Sequence, residues 1–97
     1  MNIISTHEAP AAIGPYSQAI VHGGMVYCSG QIGLTPSGEW AASDAAGQAK
    51  QALQNLAAVL AAAGTDRNHV VRATIFLASM DDFAAVNDVY ASFFDSH

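Results

Sequence analysis

The strongest periodic pattern of apolar residues lies between Ser43 and Gly64, where small and branched side chains recur every three or four positions. These apolar positions are Ala49, Ala52, Leu53, Leu56, Ala57, Leu60 and Ala63. Residues with this spacing share one face of an α-helix, so the segment is predicted to be an amphipathic helix. Ser43 is predicted to be its N-cap, Asp44 to stabilise the first turn through the helix dipole, and Gly64 to end it.

A second helical pattern starts near Ser79, which is followed three residues later by Asp82 in an arrangement similar to a capping box. The apolar positions on one face of this helix are Phe83, Val86, Tyr90 and Phe94. Asn87 interrupts the apolar stripe. A buried amide without partners costs about 1–3 kcal/mol. We therefore expect Asn87 to be buried and hydrogen-bonded, either holding a loop in place or lining a polar pocket.

Two short strands are predicted before the first helix. Residues 17–21 form the first, and the pair Gly23 and Gly24 supplies the positive φ angles of a tight hairpin turn. Residues 25–32 are then predicted to return as the antiparallel partner. Gly30 falls inside this second strand, where a glycine usually marks a bulge or a close approach of other atoms to the backbone.

The segment 70–78 is rich in β-branched residues, and both of its alternating rows are largely apolar. This pattern is typical of an interior strand covered on both faces. Residues 1–16 and 33–40 are predicted to be irregular. The order β-β-α-β-α favours an α+β fold in which two helices cover a mixed sheet. Only three strands are evident, so we expect the sheet to need further strands.

Composition narrows the class of protein. The chain has 97 residues, which is enough for a single domain. Hydrophobic residues make up 52% of it and charged residues 11%, a composition that excludes intrinsic disorder and favours subunit association. The net charge is −5, and the basic residues Lys50, Arg67 and Arg72 are scattered, which argues against a nucleic-acid partner. No apolar run approaches the ~20 residues of a membrane span, and the N-terminus lacks a signal-peptide pattern. We therefore expect a cytoplasmic protein without a membrane partner.

The sequence offers little support for metal or thiol chemistry. His7, His22, His69 and His97 show no ligand-like spacing with cysteine or carboxylates, so neither a metal nor another cofactor is expected. Cys28 is the only cysteine and cannot form an internal disulfide. No neighbouring cation would make it a thiolate, and we interpret it as a small buried apolar side chain.

Two segments have features of a small-molecule site. Ser29, Gly30 and Gln31 place a hydroxyl, a bare backbone and an amide together. Gly30 would let a ligand reach main-chain groups, although a bulge that only bends the hairpin explains it equally well. Pro15 fixes the backbone before Tyr16, whose ring can form either the wall of a pocket or a lid over the core.

Five segments of the chain together closely resemble the YjgF/RidA family. They are residues 9–19, 29–32, 51–56, 70–77 and 83–87, followed by Tyr90. The resemblance implies a chorismate-mutase-like α+β fold, a homotrimer with clefts between subunits, and two final strands that this chain lacks. It also implies hydrolysis of reactive 2-imino acids and enamines, the products of pyridoxal-phosphate enzymes, to 2-keto acids and ammonia.

The same resemblance implies that substrate is bound by Tyr16, Ser29, the backbone of Gly30, Ile32 and, as an indirect polar contact, Asn87. Members of the family grip the substrate carboxylate with an arginine and position the attacking water with a glutamate, both located beyond the second helix. This sequence ends before both positions, so no catalytic residue is assigned. We expect the chain to be C-terminally incomplete, destabilised and an inefficient deaminase.

Two other functions compete with this interpretation. The first is a non-catalytic trimeric module that binds small 2-keto or 2-imino acids in the same cleft. The second is an endoribonuclease, a name also attached to the family. A net charge of −5, with neither a basic patch nor a His/His/Lys constellation in the sequence, argues against RNA cleavage.

Overall fold

The computed structural model describes residues 1–95 of the chain. The three strands and two α-helices are Asn2–Ile4 (β1), Ala19–His22 (β2), Met25–Cys28 (β3), Ala45–Ala62 (α1) and Phe83–Phe93 (α2). Short 3-10 helices span Arg67–His69 and Met80–Asp82. The predicted α+β class is confirmed, and the order among the described residues is β-β-β-α-α.

The three strands form an antiparallel sheet in the order β1-β2-β3. Gly23 and Gly24, with φ of 60° and 79°, join β2 to β3 in a two-residue turn. Left-handed φ at both positions matches the twist of the flanking strands, so the predicted hairpin is confirmed. The second predicted strand, residues 25–32, is shorter in the structure. It corresponds to β3, which ends at Cys28 and leaves Gly30 outside the sheet.

The first strand was not expected, because residues 1–16 were predicted to be irregular. Asn2–Ile4 pairs with Val21, Ile20 and Ala19 of β2. Three residues are too short to show a period of two along the sequence. The pairing is decided by the free edge of β2, which offers backbone donors and acceptors to the N-terminal segment.

The core lies where the inner face of the sheet meets α1. Ile4, Ala19 and Cys28 stand opposite one another on the three strands. The buried side chains of Ala19 and Val59 pack together, with Ala9 completing the cluster and Ile4 and Cys28 against its edge. Because Ala19 is small, α1 can lie close to the sheet. The outer face of the sheet is exposed at Ile3 and Tyr27.

Helix α1 confirms the strongest of the periodic patterns, with a correction at its beginning. Asp44 rather than Ser43 occupies the N-cap position, and its side chain makes no capping hydrogen bond. Gly64 has φ of +83°, and Thr65 donates its N–H to the Leu60 carbonyl at 3.0 Å. This is the geometry with which a left-handed glycine ends a helix, as predicted.

Helix α2 is preceded by a turn of 3-10 helix that the sequence pattern did not separate from it. The Ser79 hydroxyl accepts a hydrogen bond from the Asp81 N–H at 3.1 Å, so Ser79 caps the 3-10 turn and α2 begins at Phe83. Val86 is buried, whereas Phe83 of the same predicted face remains exposed. Helices α1 and α2 contact each other. Among residues 1–95, neither helix is long and apolar enough to cross a membrane.

The predicted interior strand at residues 70–78 is wrong for the part of the chain described here. The segment belongs to no strand, and Val71 and Phe76 expose 78% and 92% of their surface. β-branched residues favour an extended backbone, but a strand also needs a neighbouring backbone with which to form a ladder. No described residue supplies that ladder.

Gly33 generates a prediction about stability, because it is buried against α1. A Cβ on Gly33 would lie 2.8 Å from both Cα and Cβ of Gln48, so Gly33→Ala must displace the loop from the helix backbone. We expect a loss of about 1–3 kcal/mol in the free energy of unfolding, measured from the midpoint of urea denaturation. Gly30→Ala is the matched control, because a Cβ there meets nothing within 4 Å. Equal midpoints for the two variants would contradict the close approach.

Candidate functional site

A small cavity of about 110 Å³ lies between the N-terminal segment and the chain that leaves β3. Residues 10–13, with Tyr16 and Gln18, form one wall. Residues 30–32, with Leu34, form the other. Neither wall is a regular element, so the cavity exists only because both irregular segments are held against the sheet and α1. Its volume is below the 300–1,000 Å³ typical of drug-sized ligands, which suits a small metabolite.

Tyr16 is placed in the first wall by a tight bend of the backbone. Its N–H donates to the Gly14 carbonyl at 2.7 Å, and its hydroxyl accepts from the Ile13 N–H at 3.4 Å. A Cβ on Gly14 would lie 3.2 Å from ring carbon Cε2 of Tyr16, so glycine lets the ring lie close to the chain. Tyr16 is 51% exposed and lines the cavity, so it forms a wall rather than a lid over the core.

The second wall contains Gly30 and Ile32, which line the same cavity as Tyr16. A Cβ on Gly30 would meet nothing within 4 Å, so the backbone at this position borders open space rather than packed side chains. Gln31 donates from Nε2 to the Ser29 carbonyl at 3.3 Å and also lines the cavity. The bare main chain of Gly30 is therefore accessible to a small molecule.

Two of the residues chosen from the sequence do not line this cavity. The Ser29 hydroxyl donates to the Ser17 carbonyl at 2.5 Å, and the Ser29 N–H donates to the Gln18 carbonyl at 3.0 Å. Ser29 thus ties the end of β3 to the chain before β2. Asn87 is exposed on α2, so its interpretation as a buried amide is wrong: the face of the helix that turns inward is centred on Val86.

The cavity is electrically neutral. The side chains that line it are apolar or carry an amide or a hydroxyl, and none of the lining residues is charged. Such a surface can offer hydrogen bonds and apolar contact. It cannot by itself neutralise a carboxylate, which in proteins is best matched by a planar guanidinium.

Comparison with known proteins identifies the family. The model of the family described as Endoribonuclease L-PSP matches residues 6–97. The chain belongs to this family. The crystal structure of the YjgF gene product of E. coli matches this chain with a TM-score of 0.93 at 44% identity, and the alignment covers 100% of this chain and 76% of that one. The resemblance to YjgF/RidA proteins is thereby confirmed.

Two further relatives indicate what such proteins act on or bind. A 2-iminobutanoate/2-iminopropanoate deaminase of Capra hircus is 53% identical over 95 residues, which are 97% of this chain and 69% of the relative. The crystal structure of E. coli TdcF with bound serine has a TM-score of 0.94 at 43% identity, and the alignment covers 100% of this L-PSP family chain and 76% of that one.

Gln18, which sequence reasoning did not single out, holds the first wall in place. It is 5% exposed. Its Oε1 accepts from the Thr6 N–H at 2.6 Å, and its Nε2 donates to the carbonyls of Pro10 at 2.9 Å, Thr6 at 3.1 Å and Ala9 at 3.4 Å. The amide thus binds the N-terminal segment to the start of β2. Neighbouring side chains in a strand point to opposite faces of the sheet, so the burial of Ala19 would predict that Gln18 is exposed. No local pattern in the sequence therefore indicates that Gln18 is buried.

Asn55 of α1 holds the second wall. It is 1% exposed, and its Nδ2 donates to the carbonyls of Leu34 at 2.7 Å and Ile32 at 3.1 Å. The sequence does contain a signal for this residue, since Asn55 lies three residues after Ala52 and four before Val59 on the buried face of the helix. A polar side chain at such a position needs partners.

The histidines and the cysteine lie apart from this chemistry. His7, His22 and His69 are exposed, and His97 lies outside the described residues. The hydrogen bond from His69 to Asp66, at 3.0 Å, lowers the pKa of that exposed carboxyl. Within residues 1–95, no group of three or more His, Cys, Asp or Glu side chains could hold a metal ion.

The amide of Gln18 generates a prediction. Gln18→Met keeps the length of the side chain but leaves the Thr6 N–H and the Pro10 carbonyl without their partner. We expect a loss of about 1–3 kcal/mol in the free energy of unfolding, measured by urea denaturation. Gln54→Met removes an exposed amide from α1 and should change stability by less than about 0.5 kcal/mol. A Gln18 variant as stable as the Gln54 variant would contradict the role of Gln18 in holding the N-terminal segment.

Cys28 generates a second prediction. Burial raises the pKa of its thiol above the ordinary value, so the reactive thiolate forms only at higher pH. We expect iodoacetamide to alkylate Cys28 more slowly than free cysteine at pH 8, and the rate to keep rising above the pH at which free cysteine has levelled off. Mass spectrometry of timed samples measures both rates. Alkylation as fast as that of free cysteine would contradict the interpretation of Cys28 as a packed apolar side chain.

Proposed function

We propose that this protein binds a small 2-imino acid in the cavity between Tyr16 and Gly30 and hydrolyses it to the 2-keto acid and ammonia. The observation that carries the proposal is the cavity itself, which is lined by an aromatic ring, a bare backbone and neutral hydrogen-bonding groups. The 53% identity to a 2-iminobutanoate/2-iminopropanoate deaminase supports the choice of substrate. The serine bound to the similar E. coli TdcF supports a ligand of amino-acid size.

The reaction places simple demands on such a site. Water adds its oxygen to the imine carbon, the nitrogen is protonated, and the C–N bond then breaks to release ammonia and leave a C=O group. The ring of Tyr16 would pack against the short apolar part of the substrate. The backbone at Gly30 would hydrogen-bond to the polar part and orient the C=N group for attack by water.

The carboxylate of the substrate needs a cation that the described cavity lining does not supply. In this proposal the charged half of the cleft is contributed from outside the residues that line it here, with a homotrimer as the functional assembly. Exposed apolar side chains on the outer face of the sheet, such as Ile3, Met25 and Tyr27, support association between copies, because burying them would remove apolar area from water.

A second candidate function is binding without catalysis. The neutrality of the cavity favours it, since general acid–base chemistry requires a titratable group within hydrogen-bonding reach of the reacting atoms. A binding module would take up the 2-keto acid in the same cavity and leave the rate of imine hydrolysis unchanged.

A coupled assay distinguishes the two functions. A pyridoxal-phosphate-dependent dehydratase generates 2-iminobutanoate from threonine, and semicarbazide traps the imine that escapes hydrolysis. We expect the protein to lower the initial rate at which the semicarbazone forms, because the 2-keto acid reacts with semicarbazide more slowly than the imine, while calorimetry shows binding of 2-ketobutanoate. Binding without an effect on trapping would favour the module. Absence of both would overturn the proposed site, and multi-angle light scattering of the same sample reports whether a trimer forms.

Filling the cavity at Gly30 should weaken ligand binding without unfolding the protein. A Cβ at this position meets no atom within 4 Å, so the side chain of Gly30→Val can occupy the space proposed for the ligand. We expect the affinity for 2-ketobutanoate to fall by about tenfold or more and the midpoint of urea denaturation to change little. Ala85→Val introduces a valine at an exposed position of α2, and this variant should bind like the wild type. Equal affinities in the two variants would place the ligand elsewhere.

A further inference from the structure

The side chain of Asn55 uses all of its hydrogen-bonding groups within the fold. Its two N–H bonds are directed to the Ile32 and Leu34 carbonyls, at 3.1 and 2.7 Å. Its Oδ1 accepts from Nε2 of Gln51, one turn earlier on α1, at 2.9 Å. Because Asn55 is 1% exposed, water cannot replace a lost partner.

Gln51 supplies the donor for the oxygen of Asn55. The Ile32 and Leu34 carbonyls can only accept hydrogen bonds, so they fix the Asn55 nitrogen toward the loop. The Asn55 oxygen then faces Gln51 Nε2 on its own helix. If position 51 carried only acceptors, this oxygen would face a repelling acceptor instead of a donor, and the bonds to the loop would be weakened.

The loop that these bonds hold is a wall of the candidate cleft. Ile32 and Leu34 line the cavity, whereas Asn55 and Gln51 do not. Between the two carbonyls, Gly33 packs against Gln48 so closely that no Cβ fits. Two residues of the wall and the glycine between them are therefore positioned from α1, by two hydrogen bonds and one backbone contact.

We propose that Asn55, supported by Gln51, is a positioning residue of the cleft. It sets the distance between the Ile32 wall and the Tyr16 wall, and it thereby controls the affinity for the small acid without touching it. This inference rests on the proposed function, because it assumes that the ligand occupies the cavity between these walls.

The sharpest test removes the donor to the Asn55 oxygen while leaving the buried residue in place. Gln51→Glu replaces the donor with an acceptor, and Gln54→Glu makes the same change of charge at an exposed position of the same helix. We expect Gln51→Glu to raise both the KM for the imine and the Kd for 2-ketobutanoate, by about tenfold. The kcat should change much less, and Gln54→Glu should resemble the wild type.

A second measurement does not depend on the stability of a variant. In the wild-type protein, the side-chain amide of Asn55 gives a pair of NMR signals that should exchange slowly with solvent and shift when 2-ketobutanoate is added.

Gln51→Met, which supplies neither donor nor acceptor, should give an intermediate Kd. Similar thermal midpoints for the Gln51→Glu and Gln54→Glu variants would separate positioning from general loss of stability.

The possible outcomes distinguish the two proposals. If the wild type neither binds 2-ketobutanoate nor hydrolyses the imine, the proposed function fails, and the inference fails with it. If the wild type binds but the Gln51→Glu and Gln54→Glu variants have the same Kd, or the Asn55 signals do not move at saturation, only the role of Asn55 is overturned. A selective rise in Kd together with the shift of the Asn55 signals supports it.

Discussion

Two buried side-chain amides determine whether this small protein has a cavity at all. Gln18 binds three carbonyls and one N–H of the N-terminal segment, and Asn55 binds two carbonyls of the loop after β3. Both segments are irregular, so their backbone groups have no ladder or helix to satisfy them. An amide carries donors and an acceptor in one rigid group, and it can therefore hold such a segment where an apolar side chain could not.

The hydrogen bonds of these two amides explain the character of the site. They fix the two walls, and the cavity is lined by an aromatic ring, apolar side chains, a bare main chain and the neutral amides of Gln18 and Gln31. Such a surface selects a ligand by size and shape. Holding a carboxylate also requires a positive charge, and hydrolysis also requires groups that move protons. The deaminases to which this chain is similar must meet both of these requirements.

Prediction from the sequence succeeded where a local cause was sufficient. The spacing of apolar residues predicted α1, and the Gly23–Gly24 pair predicted the hairpin between β2 and β3. Tyr16 and Gly30 were chosen as neighbours of a ligand, and both line the cavity; their contact with a ligand stays a prediction. Prediction failed at residues 70–78, where the pattern describes an extended backbone but cannot provide the partner that makes it a strand.

The amino-acid sequence by itself determined the helices, the tight turn, the class of fold and the family, because each of these depends on neighbours along the chain or on a pattern of residue types. Only the tertiary structure decided that Gln18 is buried, that Asn55 holds the loop after β3, that Asn87 faces solvent, and that Ser29 is bonded to the backbone of residue 17. The physical reason is that a hydrogen bond between residues far apart in sequence leaves no periodic trace. Its partner is a backbone carbonyl, which every residue carries alike.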